Sequence, residues 1–317
     1  MIHKLLRAKE APVIALFVAL FIFFALKSPT FMQVDGLLDC LRRYSCYAML
    51  AVGLTLIIGN GGIDISVGSV LGLSSVVLGV LLSKSGASVG VACLVAIATG
   101  LGFGLLNGLA ISYMRLQPVV VTLSTMAGAR GLAYVIAGQG ISSINLPPRA
   151  DGLVDLAYVS PAPMLIALAV AIAGWFALSR CTYGRGLLAM GSSEKAAWLS
   201  GIDVNRVRLA AYAVTGALAG LAGVMTTGMM STATTDAGWG YEFEAITAVL
   251  MGGTSILGGE ATVAGSIFGV LTAATISHGF GQLGISDHWR MLCLGLILIV
   301  SVLLDRLRKY IARKSAF

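Results

Sequence analysis

Ten runs of apolar residues divide this chain, and they leave few folds open to it. They cover roughly 11–27, 45–59, 66–83, 90–112, 118–137, 162–179, 209–230, 243–257, 261–281 and 291–305. Most approach the roughly 20 residues that an α-helix needs to cross a bilayer. The runs are continuous rather than alternating, which disfavours a transmembrane β-barrel. The second and eighth are short and merge into Gly-rich turns, so counts from eight to eleven fit the same pattern. Only 11% of the 317 residues are charged and mean hydropathy is +0.92. A soluble domain carries about a quarter charged residues. The expected fold is therefore an all-α integral membrane protein, a polytopic bundle of about ten transmembrane helices in one transmembrane domain over 1–317. Its 40 glycines suit close helix contact in lipid.

Basic residues report the orientation of such a bundle. With ten spans both termini share a side. Placing them in the cytoplasm puts fourteen basic residues inside: Lys4, Arg7, Lys9, Arg115, Arg180, Arg185, Lys195, Arg206, Arg208, Arg306, Arg308, Lys309, Arg313 and Lys314. Six fall outside: Lys27, Arg42, Arg43, Lys84, Arg149 and Arg290. Arg42 and Arg43 fit least well and are read as opening the second span at the interface. The net charge of +7 then describes topology in an inner membrane, not nucleic-acid binding. Ala11–Leu26 lacks a small-residue cleavage site and reads as a retained span rather than a signal peptide.

One polar island, 180–208, interrupts the apolar pattern at mid-chain: RCTYGRGLLAMGSSEKAAWLSGIDVNRVR. Ser192 or Ser193 can cap a helix of about two turns, with Glu194 in its first turn and Gly201 at its stop. Ala197, Trp198 and Leu199 give it an apolar edge. So short a helix needs a partner to hold it. It reads either as a docking helix for a cytoplasmic protein or as an ordinary surface loop. Elsewhere Gly61–Gly72 (GGIDISVGSVLG) and Gly258–Gly269 (GGEATVAGSIFG) share the pattern GG-x5-GS-x2-G, each between two spans. Gly-interrupted repeats of this kind point toward the working site in transporters.

Polar residues at membrane depth are the remaining candidates. Asn60 and Asp64 lie in IIGNGGIDISVGS. They read as lining a path or contacting a coupling partner, or else Asp64 or Ser66 caps the third span. Arg130, with Thr122, Ser124 and Thr125 nearby, points to a polar translocation route or to a structural pair with Asp64 or Glu244. Glu242 and Glu244 open the eighth span, where carboxylates favour a helix start. Trp239 and Tyr241 look like an interface belt, and Asn107 can bridge helices or meet a substrate. The five scattered cysteines and isolated histidines suggest no disulfide frame or metal site. No catalytic constellation and no P-loop is present, since Gly-Lys occurs nowhere. An ATP-consuming transport step would therefore need a separate ATPase, and no cofactor is expected. An ion-coupled secondary transporter, with Asp64 or Glu244 binding a proton or sodium ion, is the alternative.

Three motifs in register carry a resemblance: GGIDISVGS at Gly61–Ser69, YGRGLLAMGSSEKAAWLSGID at Tyr183–Asp203 and YEFEAITAVLMGGTSILGG at Tyr241–Gly259. The chain, from about residue 10 to 308, resembles the permease subunits of ribose-type ABC sugar importers. The resemblance implies a second permease copy or close paralogue, two cytoplasmic ABC ATPase subunits, and a periplasmic sugar-binding protein docked above. It implies alternating access driven by ATP. It also implies that Gly184–Gly201 carries the coupling helix, with Gly184, Arg185, Gly191, Glu194, Trp198 and Gly201 as the matching positions. The family's usual Gly-Asn stands here as Gly191-Ser192, and its Ala-Arg-Leu as Ala197-Trp198-Leu199.

Overall fold

The computed structural model describes residues 10–314, with side chains through Leu303 other than Asp287. Lys4, Arg7 and Lys9, and the side chains of the basic residues from Arg306 onward, lie outside the described residues.

Each of the ten apolar runs coincides with a helix. In chain order these are α1 (Ala11–Lys27), α2 (Val34–Gly59), α3 (Val67–Ser83), α4 (Val89–Ser112), α5 (Pro118–Ala137), a single turn α6 (Asp151–Val154), α7 (Ala162–Ser179), α8 (Thr182–Ser192), α9 (Glu194–Leu199), α10 (Val204–Met230), α11 (Tyr241–Met251), α12 (Val263–Gln282) and α13 (Asp287–Lys314). Proline occupies the first turn of α1, α5 and α7, where its missing N–H costs nothing. Among the described residues six helices, α2, α4, α5, α7, α10 and α12, are long and apolar enough to cross a membrane. α1, α3 and the His288–Leu303 stretch of α13 are apolar but shorter.

Two of the boundaries that depart from the expectation bear on the site. The second helix begins at Val34 rather than at 45, so Arg42 and Arg43 sit about two turns inside it. The eighth stops at Met251 because Gly252 and Gly253 follow, with Gly253 at φ +92°, although the apolar run continues to Leu257. At 11 residues α11 reaches only about 16 Å, half a bilayer.

α2, α10 and α12 have most of their apolar windows buried and form the centre, while α4, α5 and α7 show their outer faces. α4 and α10 touch backbone to backbone. A methyl added at Gly100 would lie 2.3 Å from the Gly216 carbonyl oxygen, and one at Gly104 would lie 2.3 Å from that of Tyr212. Gly100, Gly104 and Gly108 recur every fourth residue, the spacing that strips one helix face of side chains.

The connections gather at two ends. At the first, segments 60–66, 113–117, the island and 252–262 meet. At the second, β1 (Ser143–Asn145) and β2 (Thr232–Thr234) pair antiparallel, with Ile144 opposite Ala233. From β2 the chain runs non-helically along α3 to the start of α11. Methyls at Gly72 and Gly79 would lie 2.5 Å from the Ala237 oxygen and the Ala233 β-carbon, so this lane exists because α3 lacks side chains there. Irregular backbone at this depth is tolerated when buried in protein.

Candidate functional site

The island contains two helices, α8 and α9, rather than one. Ser193 is the cap: its hydroxyl accepts the N–H of Ala196 at 3.3 Å. Gly201, at φ +83°, follows the last turn and lets the chain reverse. The apolar edge divides. Ala197 is buried against Met190 and Val204, whereas Trp198 and Leu199 are 64% and 69% exposed. Glu194 pairs with Arg208 at 2.5 Å, tying α9 to α10, and the Tyr183 hydroxyl donates to the Val207 carbonyl, tying α8 to α10. Burial pushes the Tyr183 phenol well above its ordinary range. Arg185 is exposed, and Gly184 packs directly on the carbonyls of Ala177 and Leu178.

The end of α8 reaches the two repeat loops. The Gly259 N–H donates to the Gly59 carbonyl at 3.0 Å, joining the loops that carry the GG-x5-GS pattern. Gly191 sits on that joint: a methyl there would lie 2.1 Å from the Gly59 oxygen and 2.4 Å from the Gly259 nitrogen. Beside it opens a cavity of about 790 Å³, lined by Asn60, Arg115, Glu194, Lys195, Trp198 and Arg208 among others.

Three of the polar candidates lie behind this cavity. The Asp64 carboxylate accepts both the N–H and the hydroxyl of Ser66, at 2.8 and 2.6 Å. Asn107 then donates to the Ser66 hydroxyl at 3.0 Å. Burial raises the Asp64 carboxyl above the usual carboxylate range, opposed by the bonds from Ser66 and Asn107. The expected cap is thus corrected: Asp64 orders the turn before α3, and Ser66, the N-cap, makes no side-chain bond into the helix. Asn60 donates to Leu56, while its oxygen and that of Asn107 are buried without a partner among the described residues.

The other candidates lie elsewhere. Arg130 donates to the carbonyls of Thr235 and Ala237, at 2.5 and 2.9 Å, and lies over the Trp239 ring. Neither Asp64 nor Glu244 is its ion-pair partner. It instead satisfies carbonyls freed by the non-helical segment. Thr122, Ser124 and Thr125 return their hydroxyls to their own helix. Glu244 accepts the Tyr44 hydroxyl at 2.6 Å and pairs with Arg290 at 2.9 Å. Neither it nor Glu242 caps α11, whose N-cap is Gly240. Tyr241 is stacked on Tyr47 at 4.2 Å instead of standing in an outer belt. Hydropathy does not reveal Tyr44 and Arg290 as partners of Glu244; the unusual tyrosine pair Tyr44 and Tyr47 within an apolar run is the available signal.

The fold is a bundle of apolar helices with a two-helix polar island set on two glycine-rich loops, the architecture of a multi-pass membrane protein. The family described as branched-chain amino acid transport system / permease component matches residues 36–302, and this chain belongs to it. The chain is 34% identical over 302 residues to the ribose import permease protein RbsC of Escherichia coli K12, covering 94% of this chain and 93% of that protein. It is 35% identical over 301 residues to the ribose import permease protein RbsC of Bacillus subtilis 168, covering 94% and 92%. It is 32% identical over 321 residues, 96% of each chain, to the autoinducer 2 import system permease protein LsrD of Escherichia coli K12 DH10B. No solved structure matches. The resemblance to ribose-type ABC importer permeases drawn from three motifs is borne out.

Proposed function

We propose that this chain is the translocation subunit of an ATP-binding-cassette importer for a monosaccharide or similar sugar. It works as one domain of about ten spans with both termini in the cytoplasm. It pairs with a second copy or a close paralogue. Separate cytoplasmic ATPases hydrolyse ATP, and a periplasmic sugar-binding protein delivers the solute. The observation that carries this reading is α9: a short capped helix with Trp198 and Leu199 exposed, following directly on α8, whose end sits on the joint where the two repeat loops meet. An exposed indole and leucine on a helix too short to stand alone suit a partner's groove. Gly184, Arg185, Gly191, Glu194, Trp198 and Gly201 form the coupling element. Asn60, Asp64, Asn107, Thr125, Arg130 and Glu244 are assigned to the path and its supports, with Thr125, Arg130 and Glu244 in supporting roles.

The family description names amino acids, while the relatives named above carry ribose and autoinducer 2 in their names. The near full-length kinship favours the sugar. The test is uptake in proteoliposomes holding the whole importer, with radiolabelled D-ribose, other pentoses and hexoses, and L-leucine. Sugar import that needs ATP and the ATPase subunit is expected. Import on an ion gradient alone would replace this reading with the ion-coupled one. Trp198→Cys should crosslink to the ATPase.

A further inference from the structure

At the end opposite the island, a cavity of about 280 Å³ opens between α2, the end of α10 and the segment after α6. Its rim carries Asp39, Arg42, Arg43 and Tyr158, and its floor carries Cys46, Thr226 and Tyr241. The rim is accessible: Arg43 and Tyr158 are exposed, while Cys46 and Thr226 are buried. Asp39 and Arg42 form an ion pair at 2.7 Å, and Arg42 also donates to the Val159 carbonyl. The Arg42 Nε is buried with no partner among the described residues. Arg42 and Arg43 stand about two turns into α2 beside the acid Asp39, and cations that line a cavity of a membrane bundle mark a wet or ligand-holding space. These are the two arginines that the charge count accommodates least well.

The cavity's size and chemistry select one kind of occupant. About 280 Å³ is near the lower limit for small-molecule sites and admits one small solute. Guanidinium and carboxylate groups, planar and paired, bond adjacent hydroxyls two at a time. A tyrosine ring offers an apolar face for C–H groups and a hydroxyl at its edge. Tyr241 is held for this by the stack Tyr44–Tyr47–Tyr241, with centroids 4.9 and 4.2 Å apart. Resting on the importer reading above, we infer that this shaft is a receiving site for one polyhydroxylated solute of monosaccharide size. Asp39, Arg42 and Arg43 hold its hydroxyls and Tyr241 packs against its face.

Uptake by the complete importer tests this, using whichever of D-ribose, D-xylose, L-arabinose, D-galactose and D-glucose wild type carries fastest. Arg43→Gln and Tyr241→Ala should each lower the maximal rate about tenfold at equal membrane abundance, with Arg43→Lys restoring part of it. As a readout independent of folding, Tyr158→Cys should react with a methanethiosulfonate reagent faster than wild type does. That reaction should block uptake and should slow in saturating sugar. Unchanged uptake in both Arg43→Gln and Tyr241→Ala, or unblocked uptake after labelling of Tyr158→Cys, would overturn the site while leaving the importer reading intact. Selective import of L-leucine would overturn the ligand class. Absence of ATP-dependent import by wild type would remove the importer reading and this site with it.

Discussion

The two ends of the bundle are held by different means. At the island end the joint is backbone on backbone: Gly191 against Gly59 and Gly259, with the Gly259–Gly59 hydrogen bond between the loops. The ion pairs there, Arg208–Glu194 and Arg206–Asp203, each leave one or both side chains largely exposed. At the opposite end cations stitch the loops to backbone and to a buried acid. Lys84 donates to Ala137, Arg149 to Leu82, Arg42 to Val159 and Arg290 to Glu244. Four of the six basic residues that the charge count places outside are thus engaged as fasteners, and they say less about topology than their number suggests. One end is fixed by charge, and the other is fitted closely enough for small displacements to pass between segments.

The contrast can be broken by substitution. Arg290→Ala should have the largest effect on stability, about 3–5 kcal/mol, because it leaves Glu244 a buried acid with the Tyr44 hydroxyl but no cation; unfolding in mixed micelles measures it, and a cost below 1 kcal/mol would contradict the fastening role. Gly191→Val should follow at about 1–3 kcal/mol, since backbone on both sides cannot yield, and it should also halt ATP-driven uptake. Gly102→Ala, which meets nothing within 4 Å, is its control and should transport normally. Arg208→Gln removes a half-exposed ion pair and should cost no more than about 1 kcal/mol. Trp198→Asp should leave stability within about 0.5 kcal/mol yet abolish most uptake while ATP hydrolysis continues. Normal sugar accumulation in that variant would end the docking role of α9.

Helix existence was legible because hydropathy alone reports it. The ends were less so. Val34–Arg43 holds Asp35, Asp39, Arg42 and Arg43, which lower its hydropathy, but Leu37, Cys40 and Leu41 keep helical spacing. The extra helix α8 was hidden by three glycines, whose low propensity is outweighed by burial of Leu187 and Met190. Arg130's partners were not legible, since backbone carbonyls carry no residue label and become acceptors only where tertiary folding frees them. The meeting of the two repeat loops was half legible: the shared pattern singled out both segments, but nothing in it said that they touch.

The contact between α4 and α10 has a mechanical result. At Gly100 and Gly104 backbone meets backbone, with no side chain between the two helices there to change rotamer. The pair therefore behaves as a two-ply beam. With α10 running about 40 Å from Val204 to Met230, a tilt imposed at its Asp203 cap, inside the island, swings the far tip beside Tyr158 by a proportionate arc.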